Sequence, residues 1–160
     1  MRTAVTRDMA GTYGYDVDEL MNRAFSNTIS RFRPVFTELG SFCKGRDTGM
    51  TDDPFDEEFS LERKPQMYIL TNEACHNGAS VIFYPFVAER IGELLGEDYY
   101  VLPSSLHEVI IVPRCMGFQA GDLKKMVRDA NDNAVAVRDL LSYKVLFYSR
   151  EENSLSASVQ

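Results

Sequence analysis

Helical spacing of apolar residues marks one long helix near the start of the chain. Asp16 is suited to cap this helix, and Glu19 follows three residues later in the register of a capping box. The mostly apolar face then recurs at intervals of three and four residues, at Leu20, Ala24, Phe25, Thr28, Ile29 and Phe32. Because Pro34 cannot continue a helix, the sequence predicts a helix over residues 16–32, within an N-terminal helical segment of residues 1–40. Residues 2–6 are compatible with a short strand.

The pattern changes after residue 65 to short apolar runs that are rich in β-branched and aromatic residues. Residues 67–71 and 79–84 are two such runs, and Asn77-Gly78 just before the second is typical of a tight hairpin turn. These features predict a first hairpin. A helix is predicted over residues 86–95, where Gly96 ends an amphipathic stripe that begins after Pro85.

The remaining elements complete a mixed fold. Residues 99–102 and 108–112 predict a second hairpin, an amphipathic helix follows Gly121, and residues 143–148 predict a last strand. The order β-β-α-β-β-α-β predicts an α+β fold with a mixed or antiparallel sheet of about five strands and helices on one face. The core is expected at residues 66–150 and a disordered tail at 151–160. Ile82 and Ile110, each in the middle of an apolar run, are expected to be core residues.

Composition and charge narrow the class of protein. The chain has 160 residues, of which 44% are hydrophobic and 26% charged, as in an ordinary single domain. Its formal net charge of −7 makes nucleic acid an unlikely partner, because such binding needs clustered Lys and Arg. Acidic residues crowd residues 47–62, so residues 41–65 are interpreted as a solvated acidic connector. No apolar run could span a membrane and no secretory signal begins the chain, so a cytoplasmic location is expected.

The cysteines and histidines do not form a recognisable metal or redox motif. Cys43, Cys75 and Cys115 are an odd number without a C-x-x-C pair, which favours reduced thiols. His76 and His107 are the only two histidines, and neither has the spacing of a zinc site. No glycine-rich phosphate-binding loop is present. No metal and no cofactor are therefore expected.

The segment around residues 102–109 contains the residue types of a hydrolytic triad. Ser104, Ser105 and His107 lie within four residues and are followed by Glu108. On a strand, however, Glu108 would point away from His107 and could not orient it, and no G-x-S-x-G elbow exposes a serine. A hydrogen-bonded turn is therefore favoured over catalysis at Ser104, Ser105 and His107. Cys75 beside His76 is similarly interpreted as part of a polar hairpin tip rather than a cysteine nucleophile with its base.

Tyrosines cluster at predicted strand positions. Tyr68, Tyr84, Tyr100 and Tyr148 would form a contiguous patch if one face of the sheet lacked a helical cover. These four residues are therefore the candidate binding residues for a protein segment or a second subunit.

Several of these segments together resemble a bacterial family. They are residues 67–72, Asn77-Gly78-Ala79, Tyr84-Pro85, the Leu-Pro-Ser-Ser-x-His-Glu-Val run at 102–109, Leu141-Ser142 and residues 148–150. The chain resembles the C-terminal half of an uncharacterised family of gut anaerobes that is known only as a domain of unknown function. Members of that family typically carry a further N-terminal half. The resemblance implies no established activity.

Two functions lead from the sequence, and a weaker third is an acidic mimic of nucleic acid, which would need ordered, regularly spaced carboxylates. The first is a non-enzymatic protein-interaction or regulatory module that forms a homodimer through a sheet edge or the tyrosine-bearing face. The alternative is a small hydrolase-like enzyme that uses His107 with Ser104 or Ser105. A short distance from His107 to a hydroxyl or thiol within a concave pocket would distinguish the enzyme.

Overall fold

The structure, a computed structural model, describes residues 5–44, 52–61 and 64–157, which fall into two units, Met1–Arg33 and Pro34–Gln160. The first unit contains helices α1 (Arg7–Thr12) and α2 (Val17–Arg31). Asp16 Oδ1 accepts the backbone N–H of Glu19 at 2.8 Å. The predicted cap and the position of the long helix are therefore confirmed. The strand predicted over residues 2–6 lies mostly outside the described residues.

The second unit is built on an antiparallel sheet of six strands. The strands are β1 (Pro34–Glu38), β2 (Tyr68–Asn72), β3 (Tyr99–Pro103), β4 (Val109–Pro113), β5 (Leu146–Ser149) and β6 (Ser154–Ala157). Their order across the sheet is β1-β2-β4-β3-β5-β6, and every neighbouring pair is antiparallel. The predicted α+β class and the hairpin of β3 with β4 are confirmed.

Helices connect and cover these strands. The α-helices of this unit are α3 (Leu39–Cys43), α4 (Val87–Leu95) and α5 (Ala120–Asn133). The described residues of this unit also form three short 3-10 helices, Gly78–Phe83, Arg114–Met116 and Val137–Asp139. Gly96 ends α4 in a left-handed conformation, with φ 76°, as its place after the amphipathic stripe predicts.

The two faces of the sheet are covered by different helices. On one face the Tyr99 hydroxyl donates to the backbone carbonyl of Ala88 in α4 at 2.9 Å. On the other face Leu102 and Val112 pack with Leu123 and Val127 of α5. The prediction placed the helices on one face, whereas both faces of the central strands are apolar and each takes a helix.

Three segments differ from the predicted pattern. Residues 79–84 are not a strand but belong largely to the first 3-10 helix, because β1 and β4 already occupy both edges of β2. The predicted first hairpin is therefore wrong. Strand β1 lies where a helical segment was expected, and β6 lies in the expected disordered tail, where it pairs with β5.

The described part of the acidic stretch contacts the sheet unit. The Phe36 N–H donates to the Asp52 carbonyl at 2.8 Å, and Arg90 Nε donates to the carbonyl of Pro54 at 2.9 Å. The ring of Phe59 lies 6.4 Å from that of Phe36. Asp47 and Glu62 lie outside the described residues. Within the described ranges, no helix combines the length and hydropathy needed to cross a membrane.

Candidate functional site

The turn between β3 and β4 contains the serine and histidine that the sequence singled out. Ser105 Oγ accepts the backbone N–H of His107 at 2.9 Å and donates to Glu108 Oε1 at 2.7 Å. The Ser105 N–H also donates to the Glu108 carbonyl at 3.2 Å. Ser105 is therefore engaged as a turn serine, and its hydroxyl proton points to Glu108 rather than to the imidazole. Ser104 is half-buried at the start of this turn.

The imidazole of His107 lies between two segments that are distant in sequence. Its Nδ1 accepts the backbone N–H of Asn77 at 3.2 Å. Its Nε2 lies 3.6 Å from Asp139 Oδ1, which is longer than a direct hydrogen bond. The His76 ring packs beside it, with the ring centroids 5.2 Å apart. Because Nδ1 accepts a hydrogen bond, the neutral ring carries its proton on Nε2, towards Asp139.

Backbone hydrogen bonds bring the same segments together. The Leu106 N–H donates to the Asp139 carbonyl at 2.8 Å, and the Ala79 N–H donates to the Leu106 carbonyl at 3.3 Å. Thr71 Oγ1 donates to the His107 carbonyl at 2.7 Å. Residues 106–107 thus join the end of β2, the first 3-10 helix and the third 3-10 helix.

Gly78 makes this convergence possible because nothing larger fits. A Cβ at Gly78 would lie 2.6 Å from the His107 carbonyl oxygen and 2.7 Å from the Asn72 nitrogen, and closer still to Thr71 Oγ1. The preceding residue, Asn77, has φ 52°, a conformation that Asn tolerates better than most residues. The Asn-Gly pair therefore reverses the chain against the β3–β4 turn instead of making a hairpin.

The loop before Asn77 is held by an asparagine side chain. Asn72 Oδ1 accepts the His76 N–H at 3.2 Å, and Asn72 Nδ2 donates to the His76 carbonyl at 2.9 Å. Cys75 in this loop is exposed with φ 48°, and Cys43 and Cys115 are exposed too; none of the three forms a disulfide in the part of the chain that the structure describes. Across the described ranges, no three His, Cys, Asp or Glu side chains converge as a metal site would require.

An apolar groove of about 240 Å³ adjoins the convergence point. Strand residues Val101, Pro103, Val109 and Leu146 contribute to its lining. Its other lining residues are Ala79, Ile82 and Phe83 from the first 3-10 helix, and Leu141, Ser142 and Lys144 from the segment before β5. Phe83 is 63% exposed and Leu141 43% exposed, so apolar side chains reach the surface at the groove.

Burial removes most of the expected tyrosine patch. Tyr68 and Tyr148 on the sheet are buried and Tyr100 is half-buried, and Tyr84, which directly follows the first 3-10 helix rather than lying in a strand, is buried too. Burial raises the pKa of the Tyr148 phenol, whose hydroxyl donates to Asn153 Oδ1 at 2.7 Å. The tyrosines of the sheet therefore serve its packing, and the exposed apolar surface of the sheet unit includes Phe83 and Leu141 instead.

Sequence reasoning found the turn residues but not their partners. Asp139 had no local signal, since it approaches His107 only through the folded chain, and Asn77 was interpreted as a hairpin turn. The groove residues are individually ordinary apolar residues, and their common location depends on the strand order.

Comparisons with known proteins identify a family for this chain but no established activity. A family model described as a family of unknown function, DUF5688, matches residues 1–150. The match bears out the resemblance to an uncharacterised family. No curated protein and no solved structure matches the chain.

Proposed function

We propose that this chain, which belongs to the DUF5688 family of unknown function, is a non-enzymatic protein-interaction module that holds one apolar side chain of a partner protein in the groove. The observation that carries the proposal is the groove itself. Its lining is apolar apart from Ser142 and Lys144, and Phe83 is largely exposed beside it. Exposed apolar surface at a concave site is typical of a binding surface.

The size of the groove favours a side chain over a cofactor. Pockets for drug-sized ligands and cofactors usually enclose roughly 300–1,000 Å³. The groove, at about 240 Å³, is smaller than that range and suits a single anchor residue such as Leu, Met or Phe. Anchors of this kind, buried in a pocket, supply most of the binding energy of many interfaces.

The positive charge of Lys144 favours a partner in which acidic residues flank the anchor residue. Lys144 is exposed in the lining of the groove and can pair with an acidic residue that flanks the anchor. A carboxylate on the partner would be attracted by this ammonium group, whereas a Lys or Arg in its place would be repelled. The partner we propose is therefore a segment of another protein in which a large apolar residue is flanked by Glu or Asp.

A panel of labelled 12-residue peptides tests this proposal. The central residue would be Leu, Met, Phe or Ala, with Glu or Lys on both sides, and binding would be measured by fluorescence polarisation. We expect the large apolar residues with Glu to bind best. Phe83→Ala should weaken that binding on the order of tenfold. The Lys144→Glu substitution should reverse the preference from Glu-flanked to Lys-flanked peptides.

Phe55→Ala is the matched control, since Phe55 is also exposed but does not line the groove. It should leave peptide binding unchanged. Failure of every peptide up to millimolar concentration would overturn the proposal, and so would equal losses from Phe83→Ala and Phe55→Ala.

The second possible occupant is another copy of the chain, as in the expected homodimer. Light scattering at micromolar concentration distinguishes it. A mass of twice 18.2 kDa that returns to 18.2 kDa in the Phe83→Ala variant would identify the second copy as the occupant. That result would overturn the assignment of the groove to a different protein.

The alternative function, a hydrolase that uses His107 with Ser104 or Ser105, has less support. In such a hydrolase the serine hydroxyl must donate to the His107 imidazole, but the Ser105 hydroxyl donates to Glu108 and His107 Nδ1 already accepts from Asn77. Hydrolysis of p-nitrophenyl acetate above the buffer rate would favour the enzyme if Ser105→Ala and His107→Gln each abolished it.

A further inference from the structure

We infer that His107 is a pH-sensitive positioning residue that holds two parts of the groove wall together, an inference that rests on the proposed function. Asn77, which donates to His107 Nδ1, directly precedes the 3-10 helix that carries Ala79 and Phe83 into the lining. Asp139, which faces Nε2, lies two residues before Leu141 of the lining. The His107 imidazole therefore contacts the residues just before each of two parts of the groove wall, the first 3-10 helix and the segment that begins at Leu141.

Protonation changes these two contacts in opposite directions. A neutral imidazole can accept from Asn77 while its Nε2–H points to Asp139. A protonated imidazole has two donors, so it can no longer accept the Asn77 N–H. At the same time it forms an ion pair with Asp139. At low pH the imidazole therefore remains paired with the Asp139 carboxylate, whereas its hydrogen bond with the Asn77 N–H breaks. The residue that precedes the first 3-10 helix is then no longer hydrogen-bonded to the His107 side chain.

The charged surroundings of His107 come from three segments. Asp139 faces Nε2, and Arg138 Nε lies 3.5 Å from the other carboxylate oxygen of Asp139. Glu108 is bonded to the Ser105 hydroxyl within the same turn. The ring of His76 packs beside that of His107 and is also ionisable, so a variant must separate the effects of the two histidines.

Backbone bonds limit the size of the response. The Ala79 N–H to Leu106 carbonyl bond and the Leu106 N–H to Asp139 carbonyl bond do not depend on the imidazole. The segments therefore remain near each other when His107 is charged. Loss of one hydrogen bond at the wall should weaken binding on the order of two- to tenfold between pH 8 and pH 5.

The test follows the Asn77 amide and peptide binding in the same samples. In ¹⁵N-edited spectra of the wild type, the amide signals of Asn77 and Ala79 should shift together between pH 8 and pH 5. The probe for binding is the 12-residue peptide with central Leu flanked by Glu. Its affinity for the wild type should fall two- to tenfold from pH 8 to pH 5.

Two variants separate the histidines. Asn at position 107 places its Oδ1 where the acceptor Nδ1 of His107 lies and can accept the Asn77 N–H at any pH, so the affinity of His107→Asn for the peptide should be the same at pH 8 and pH 5. His76→Gln should keep the full response, because the Asn77 contact is intact. A response that persists in His107→Asn, or that disappears in His76→Gln, would overturn the inference.

The outcomes also distinguish this inference from the function on which it rests. Peptide binding that is equal at pH 5 and pH 8 would overturn the role of His107 and leave the groove proposal standing. Amide shifts that follow His107 without binding of any peptide would overturn the groove proposal and, with it, the regulation of the groove.

Discussion

The site can fold only because Gly78 has no Cβ atom, so the Gly78→Ala substitution tests this part of the structure directly. A methyl group there would meet three atoms, two of which belong to the backbone of Asn72 and His107, and backbone cannot swing aside as a flexible side chain can. Gly78 is buried, so an added methyl group could not turn towards solvent. We expect the variant to be strongly destabilised.

The magnitude follows from three effects. Overpacking of a buried site costs about 1–3 kcal/mol, and contact with rigid backbone places Gly78 at the upper end. Displacing Thr71 Oγ1 would also break its 2.7 Å bond to the His107 carbonyl, which costs about 1 kcal/mol more. Replacing Gly by Ala restricts the unfolded chain and returns about 0.4–1 kcal/mol. The expected net loss is about 3 kcal/mol in the free energy of unfolding.

Urea denaturation followed by circular dichroism measures this loss, because the chain has no Trp to report by fluorescence. Gly121→Ala is the matched control, since a Cβ at Gly121 in α5 would meet nothing within 4 Å. Ala is the better helix former, so that variant should gain about 0.5–1 kcal/mol. A Gly78→Ala stability within 0.5 kcal/mol of the wild type would refute the close approach at Gly78.

Three further predictions concern the core. Ile82 is buried and Ile110 only half-buried, so Ile82→Ala should cost about 2–5 kcal/mol and Ile110→Ala distinctly less, as measured by urea denaturation. Burial raises the pKa of the Tyr99 phenol above that of an unfolded tyrosine. Tyr99 therefore contributes its full stabilisation below about pH 10, and this contribution is lost as the pH rises further. The Tyr99→Phe variant should show a smaller fall in melting temperature at alkaline pH. Asn131 is buried and donates to a backbone carbonyl before β5, so Asn131→Ala should cost about 1–3 kcal/mol in the same denaturation assay.

The sequence predicted the elements whose signals are local. The cap of Asp16 on Glu19 lies within one turn of helix, and Gly96 ends α4 at a fixed distance from its apolar stripe, so neither depends on the rest of the fold. The β3–β4 hairpin is also local, and both of its strands were predicted nearly to the residue.

The errors occur where distant segments compete. Residues 79–84 have the composition of a strand, but a strand needs a free edge, and β2 has none because β1 and β4 flank it. Strand β1 gave little signal of its own, since its pairing with β2 joins segments some thirty residues apart. The partners of His107 were missed for the same reason, because Asn77 and Asp139 reach the imidazole only after the sheet has assembled.

Backbone strain provides a separate argument for function at the groove wall. In the part of the chain that the structure describes, four residues other than glycine have positive φ. Three of them, Cys75, Asn77 and Phe86, flank the 3-10 helix Gly78–Phe83, and Phe86 is a bulky residue that is 73% exposed. Such conformations cost on the order of 1–3 kcal/mol each and persist only where the surrounding structure imposes them. An exposed aromatic side chain brings no burial to offset that cost, so the fold gives up stability at Phe86, three residues after the 3-10 helix that supplies Ala79, Ile82 and Phe83 to the groove. A segment that served only to connect β2 and α4 would gain stability from a glycine at position 86.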